Sequence, residues 1–117
     1  MEFIECMVAA VPNDNRQQFI EHAKRVAAIF KDHGALRVVE CWGDDVPEGK
    51  VTSLPMAVKC KPGESVVFSL VVWPSRESRD SGMEGFMTDQ RMEEEMAAMP
   101  FDGSRLIHGG FQVIVDV

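Results

Sequence analysis

The chain has 117 residues, of which 45% are hydrophobic and 26% are charged, as is typical of one globular domain. Its 12 basic and 19 acidic residues give a net charge of −7 with histidine neutral. We therefore expect no nucleic-acid partner, because an acidic surface repels phosphate groups. No apolar stretch approaches the roughly 18 residues that a membrane-spanning helix requires, so we expect no membrane association.

The first half of the chain begins with a predicted strand over residues 2–11, which Pro12 ends because proline cannot donate to a β-ladder. A helix over 14–33 follows, with Asn13 as its N-cap and Gly34 as the residue just past its end. The helix is predicted from apolar residues at helical spacing, namely Phe19, Ile20, Ala23, Val26, Ala27 and Phe30.

The middle of the chain contains a second predicted strand, over 35–42, and then a polar loop over 43–55. Residues 56–60 are expected to extend again. A tight turn over 61–64, with the sequence Lys-Pro-Gly-Glu, leads into a β-branched strand over 65–73. The turn therefore predicts a hairpin between these last two strands.

The last part of the chain starts with a predicted helix over 75–88, with Ser75 as its N-cap. A short further helix is expected over 89–98. The final strand is predicted over 105–116, with the glycine pair at 109–110 marking a bulge or a close backbone approach.

The order of these elements predicts a single α+β domain over residues 1–117. Strand, helix, strand, strand, helix, strand is the ferredoxin-like βαββαβ arrangement. It gives an antiparallel sheet with both helices on one face.

Both faces of the predicted sheet carry apolar side chains. We expect the helices to cover the face with Ile4, Val66, Phe68, Leu70, Phe111, Val113 and Val115. The opposite face would carry Phe3, Met7, Val11, Val38, Trp42, Val71, Trp73 and Ile114. A soluble monomer rarely exposes such a patch, so we expect a second copy of the sheet to cover it in a homodimeric barrel.

The polar residues of that second face are expected at the interior or the rim of the barrel, and they are Glu5, Glu40, Ser69, His108 and Gln112. Two interpretations stay open for them. They pair with each other and with water across the dimer interface, or they line a cavity for a small molecule.

Candidate site residues follow from the second interpretation. His108 is the candidate acid or base, and the proton-transfer and charge-stabilising candidates are His108, Glu5, Glu40 and Arg105. The ligand-binding candidates are Trp42, Trp73, Ser69 and Gln112. His22 is expected on the exposed side of the first helix and His33 in its last turn, both in structural roles.

No motif for a metal, a nucleotide or a nucleophilic triad is present. The sequence lacks the G-x-S-x-G, Walker and G-x-G-x-x-G patterns, and its three cysteines, Cys6, Cys41 and Cys60, are widely spaced. We therefore expect no cofactor, no metal site, and free thiols in a reducing compartment, the cytoplasm. The methionines at helical intervals after residue 82 are expected to act as packing residues.

Several short runs along the whole chain form a distinctive set. They are His33-Gly34-Ala35-Leu36, Val39-Glu40-Cys41-Trp42, Asp45-Val46-Pro47, Gly49-Lys50-Val51-Thr52, Val67-Phe68-Ser69, Trp73-Pro74-Ser75-Arg76, Arg79-Asp80, Met99-Pro100-Phe101-Asp102-Gly103 and Gly109-Gly110-Phe111. Together these runs resemble the YbaA-like bacterial proteins of unknown function. The resemblance implies the dimeric α+β barrel superfamily, which includes cofactor-free monooxygenases, haem-degrading enzymes, lactone isomerases and ligand-sensing domains. It implies no particular reaction.

Two functions therefore stay open. The first is a homodimer that binds a small organic ligand in the barrel. The alternative is a small cofactor-free enzyme, monooxygenase-like or isomerase-like, that acts on an aromatic or enolisable substrate.

Overall fold

A computed structural model describes the whole chain, residues 1–117, and contains four strands and four α-helices. In chain order they are β1 (Phe3–Pro12), α1 (Arg16–Asp32), β2 (Arg37–Trp42), α2 (Leu54–Ala57), β3 (Glu64–Trp73), α3 (Arg76–Thr88), α4 (Gln90–Ala97) and β4 (Ile107–Gln112). Short 3₁₀ turns cover Asn13–Asn15 and Gly103–Arg105. No helix combines the length and the apolar character needed to cross a bilayer.

The four strands form one sheet in the order β2-β3-β1-β4, and every neighbouring pair is antiparallel. The central pair is the longest, running from Phe3 opposite Trp73 to Pro12 opposite Glu64. This is the predicted ferredoxin-like α+β fold, so the prediction from element order is confirmed.

The end of α1 agrees with the sequence-based prediction, whereas its start does not. Gly34 follows the helix with φ of +106°, a conformation that glycine adopts without the steric cost of a Cβ. The start differs from the prediction, because Asn15 rather than Asn13 precedes the helix and no side chain caps it. Asn13 instead accepts a hydrogen bond from the Ser65 hydroxyl, which joins the 3₁₀ turn to β3.

The segment before β3 is helical where the sequence analysis predicted a strand over 56–60. Ser53 accepts a hydrogen bond from the Met56 amide and Pro55 lies in the first turn, so this end of α2 is well capped. The predicted hairpin is therefore wrong. Across the long loop, β3 pairs with β2 instead, with Glu40 opposite Ser69.

The last strand is shorter than predicted, because β4 ends at Gln112 rather than at residue 116. Its glycine pair causes no bulge, since Gly109 lies opposite Cys6 and Gly110 opposite Glu5 in uninterrupted register. Gly110 instead allows a close approach. A Cβ there would lie 2.6 Å from the Phe3 ring.

The helices cover the opposite sheet face from the one predicted. The predicted residues that lie in the observed strands share faces as predicted, whereas Val113, Ile114 and Val115 lie beyond the end of β4. However, α1, α3 and α4 pack on the face that carries Phe3, Met7, Val38, Val71 and Trp73. The helices themselves contribute Ile29, Phe30, Phe86 and Met92 to the same core cluster. The chain therefore covers this apolar face itself, with no second copy.

The other sheet face is the one left largely open. Only its end near α2 is covered, where Val58 packs against Val8, Ala10 and Val66, so not all helices lie on one face. Towards β4, Phe111 and Ile107 remain 59% and 43% exposed. A continuous apolar surface is thus left on the side opposite to α1, α3 and α4.

Candidate functional site

A cavity of about 430 Å³ lies between the sheet and the helices α1, α3 and α4. Of its 20 lining residues 15 are hydrophobic, so the space suits a mostly apolar molecule. The polar lining residues are Glu5, His22, Glu40, Ser69 and His108. Four of these are the polar residues expected in a dimeric barrel. They lie under the chain's own helices instead, because the helices cover their face.

The floor of the cavity carries a row of side chains across all four strands. Glu40 on β2 lies opposite Ser69 on β3, Ser69 opposite Met7 on β1, and Met7 opposite His108 on β4. Glu5 lies two residues from Met7 on the same face of β1. The strand register therefore brings together residues that are far apart in the sequence.

The cavity lining is rich in methionine, and all of these methionines except Met7 on β1 lie on or just after α3 and α4. Six of the eight methionines line the cavity, and they are Met7, Met83, Met87, Met92, Met96 and Met99. Met87 and Met96 are about half exposed, which places them at the edge of the cavity. Because methionine has a flexible, polarisable side chain, such a wall adapts to ligands of different shapes.

Glu5 is held by an arginine that the sequence analysis did not select. Arg79 on α3 donates a 3.0 Å hydrogen bond from Nη1 to Glu5 Oε2, and its guanidinium lies 4.7 Å from the centre of the Phe3 ring. Gly110, opposite Glu5, leaves the space that Phe3 and Arg79 occupy. The negative charge of Glu5 is therefore compensated inside the fold.

Glu40 has a different environment from Glu5. It accepts a hydrogen bond from the Ser69 hydroxyl and forms no ion pair with a basic side chain. Burial raises the pKa of the Glu40 carboxyl, and the Ser69 hydrogen bond opposes this effect in part. The Glu40 carboxyl therefore takes up a proton more readily than an exposed glutamate does.

His108 lies at the mouth of the cavity. Its side chain is 65% exposed, and Nδ1 lies 3.7 Å from Glu5 Oε1, beyond hydrogen-bond distance. The imidazole of His108 is therefore accessible both to water and to a molecule bound in the cavity.

His22 is buried, although the sequence analysis expected it on the exposed side of α1. Its Nδ1 lies 3.0 Å from Glu95 Oε1, and Arg25 donates a 2.7 Å hydrogen bond to the other oxygen of Glu95. The Arg25 hydrogen bond, helped by His22, lowers the pKa of Glu95. The signal was present in the sequence, since His22 follows the buried Phe19 by three residues and shares its stripe.

Four of the predicted site residues lie outside the cavity lining. Arg105 is held by Glu64 and Asp102 through hydrogen bonds of 2.7 to 3.1 Å. Trp73 is fully buried in the core, and Gln112 is exposed at the end of β4. Trp42 lines a neighbouring groove.

His33 lies at the end of α1, as expected, and its Nε2 lies 2.8 Å from Asp89 Oδ2, within hydrogen-bond distance. No cluster of three or more His, Cys, Asp or Glu side chains is arranged to hold a metal ion.

Comparison with known proteins identifies the family. A family model described as a protein of unknown function, DUF1428, matches residues 2–103. The chain belongs to the DUF1428 family. It is 49% identical over 116 residues to the uncharacterized protein YbaA of Escherichia coli K12, and the match covers 99% of both chains. The uncharacterized protein YbaA of Shigella flexneri has the same identity and coverage. The resemblance to YbaA-like bacterial proteins is therefore confirmed.

Solved structures of low sequence identity share the fold of this DUF1428 chain. SnoaB, a cofactor-independent oxygenase from Streptomyces nogalater, matches 99% of the chain and 96% of its own with a TM-score of 0.62 at 16% identity. A dimeric ferredoxin-like protein from an uncultured marine organism has a TM-score of 0.61 at 12% identity, and the match covers 99% of this chain and 98% of that protein. A putative antibiotic biosynthesis monooxygenase from Bacillus cereus has a TM-score of 0.58 at 17% identity, and the match covers 99% of this chain and 96% of that protein.

Proposed function

We propose that this protein binds a small, mostly apolar organic molecule in the cavity between the sheet and the helices. The observation that carries this proposal is the composition of the lining, in which 15 of 20 residues are hydrophobic and the polar residues lie mainly on the strands. A volume of about 430 Å³ is within the range of small-molecule sites. The ligand would rest its polar group on the floor near Glu40 and Ser69, with its apolar body against the methionines.

A fluorescence titration tests the cavity. The probe is phenylnaphthylamine, an uncharged aromatic amine. Met87→Trp, at the cavity edge, should weaken its binding about 10-fold by filling the space, whereas Met56→Trp on α2 should leave it unchanged. Equal affinity in both variants, or no binding to the wild-type protein at millimolar concentration, would contradict the proposal.

We further propose that the open sheet face joins two copies in a homodimer. Phe111 and Ile107 are exposed there, and Cys6 and Phe68 are only partly buried, so a lone subunit would leave apolar surface in water. One structure of similar fold is described as dimeric. The face is the reverse of the one that the sequence analysis assigned to the interface.

Analytical ultracentrifugation tests the homodimer. The wild-type protein should sediment at about twice 13.1 kDa at micromolar concentration. Phe111→Glu should give single subunits, because it places a charge in the apolar interface. Val51→Glu makes the same change at a loop residue that is 96% exposed, and it should not change the mass. A wild-type species of 13.1 kDa would contradict the homodimer and leave the cavity proposal intact.

A second candidate function is cofactor-free proton transfer on an enolisable ligand. It is favoured by the two cavity carboxyls in different environments, Glu5 paired with Arg79 and Glu40 with a raised pKa. An ionised Glu40 would take a proton from a ligand carbon and return it, or a solvent proton, to the same carbon. NMR measures the rate at which deuterium from heavy water enters a β-diketone in the presence of the protein. Exchange by the wild-type protein that is lost in Glu40→Gln would support this function. Equal exchange rates in the two proteins would exclude Glu40 as the base.

The three cysteines support a reducing compartment, and we propose the cytoplasm. Cys6, Cys41 and Cys60 are all free. Localisation of a tagged chain by cell fractionation tests this assignment, and recovery outside the cytoplasm would contradict it.

A further inference from the structure

A second hollow opens on the other side of α1 from the cavity. It is a groove of about 460 Å³ between α1 and the edge strand β2. Three side chains, Phe19, Ala23 and Glu40, line both the groove and the cavity, so the two spaces meet beneath α1. Glu40, the carboxyl on the cavity floor, is the only one of these three that can carry a charge.

Two cationic side chains line the groove. Arg16, at the start of α1, places its guanidinium 5.4 Å from the centre of the Trp42 ring. Lys24 lies eight residues later on α1, or about 12 Å further along the helix axis. Of the seven arginines, five form ion pairs with carboxylates, and the two that form none are Arg16 and Arg37. Only Arg16 lines the groove. Lys24 only approaches Glu21, at 3.8 Å between exposed side chains. In a chain of net charge −7, the groove is thus lined by two cations that have no strong carboxylate partner.

The distance from the cavity to these cations suits one bound molecule. Glu40 and Trp42 point to the same face of β2 two residues apart, which corresponds to about 7 Å along the strand. A ligand with its apolar body against the methionines and its polar part near Glu40 and Ser69 could therefore extend along β2 and place a terminal group beside Arg16. The small side chain of Ala23 leaves space for this beneath α1.

We propose that the groove is an anion subsite of the cavity, and that the protein binds an amphipathic organic anion with an apolar body and one terminal oxyanion such as a carboxylate. This inference rests on the proposed function of the cavity. Arg16 supplies paired N–H donors for the oxyanion, and Lys24 supplies a second positive charge. Trp42 keeps the guanidinium in place from below.

The only acidic side chain lining the groove is Glu40, which would repel an anion if it were ionised. It accepts the Ser69 hydrogen bond on the cavity side, and burial raises its pKa. The positive charges of Arg16 and Lys24 therefore face a carboxyl that takes up a proton more readily than an exposed one does.

A matched pair of fluorescent probes tests the subsite. Anilinonaphthalene sulfonate and phenylnaphthylamine share one ring system, and only the first carries a sulfonate. We expect Arg16→Gln and Lys24→Gln each to weaken binding of the sulfonate probe about 5- to 10-fold, and to change binding of the uncharged probe less than about 2-fold. Lys31→Gln removes a charge from an exposed residue of the same helix and should affect neither probe.

The outcomes separate the subsite from the cavity. If the uncharged probe binds and Arg16→Gln weakens both probes equally or neither, the anion subsite is wrong and the cavity remains. If neither probe binds the wild-type protein, the proposed function fails and the subsite with it. Arg16→Lys keeps the charge and should retain more of the sulfonate affinity than Arg16→Gln. The reverse order would overturn the role of Arg16.

Discussion

Glu5 and Arg79 form a hydrogen-bonded ion pair between the sheet and a helix, with 3.0 Å between Oε2 and Nη1. Only 5% of the Glu5 side chain and 19% of the Arg79 side chain are exposed. The pair joins β1 to α3 at the cavity floor, and it depends on the absence of a side chain at Gly110. This contact supplies the basis for two predictions about stability.

Removal of Arg79 should destabilise the protein strongly. Arg79→Met leaves the buried Glu5 without its partner, and we expect a loss of about 3 kcal/mol in the free energy of unfolding. The double variant Glu5→Gln/Arg79→Met removes the uncompensated charge and should recover part of this loss. Urea denaturation measures both effects. If the two variants unfold at the same urea concentration, the ion pair does not explain the destabilisation.

Gly110→Ala should be far more destabilising than Gly109→Ala. A Cβ at Gly110 would lie 2.6 Å from the buried Phe3 ring and 3.0 Å from Arg79 Nη1, whereas at Gly109 the nearest atom is 3.5 Å away. We expect a cost of about 1 to 3 kcal/mol at position 110 from overpacking. Thermal unfolding of the two variants compares them directly. Similar melting temperatures would show that Phe3 moves aside freely.

Glu64 should make stability fall in acid. The Arg105 hydrogen bonds lower its pKa from 4.5 to about 2 in the folded protein. Because the folded pKa is depressed, the pair stabilises fully above pH 4.5 and loses this contribution as the pH falls towards 2. Glu64→Gln should flatten the pH dependence of the free energy of unfolding in this range.

The control for Glu64 is Glu84→Gln, at an exposed residue of α3 that forms no ion pair. Urea denaturation between pH 3 and pH 6 should give this variant the wild-type slope. A wild-type slope in Glu64→Gln as well would mean that the Arg105 pair does not contribute to acid unfolding. Neither variant should change binding of phenylnaphthylamine, since Glu64 and Glu84 lie outside the cavity lining.

Glu40 should affect the pH dependence of stability in the opposite direction to Glu64. Burial raises its pKa in the folded protein, so the unfolded chain releases the proton first and stability decreases as the pH rises above 4.5. Glu40→Gln cannot ionise, and it should be more stable than the wild-type protein at pH 8 but close to it at pH 4. Urea denaturation at the two pH values measures this difference. A variant that loses stability equally at both would indicate a purely steric role.

Much of the fold could be predicted from local patterns. The helical stripe that contains Phe19 predicted α1, and Gly34 predicted its end. The predicted strand over 56–60 was wrong, although Ser53 followed by Pro55 is a helix-start signal in the sequence itself. His22 was likewise misplaced, because its polarity outweighed its position on the buried stripe. In both cases the sequence itself contained the local signal that indicates the correct structure.

Alternation along the strands determined which residues share a face, because successive side chains of a strand point to opposite sides. Glu5, Met7 and Trp73 were grouped correctly on this basis. Only the tertiary structure decided which face the helices cover. Both faces are apolar, so burial favours neither, and the choice depends on how α1 crosses over between β1 and β2. The same crossover placed Glu40 and Ser69 in a cavity within one subunit rather than between two.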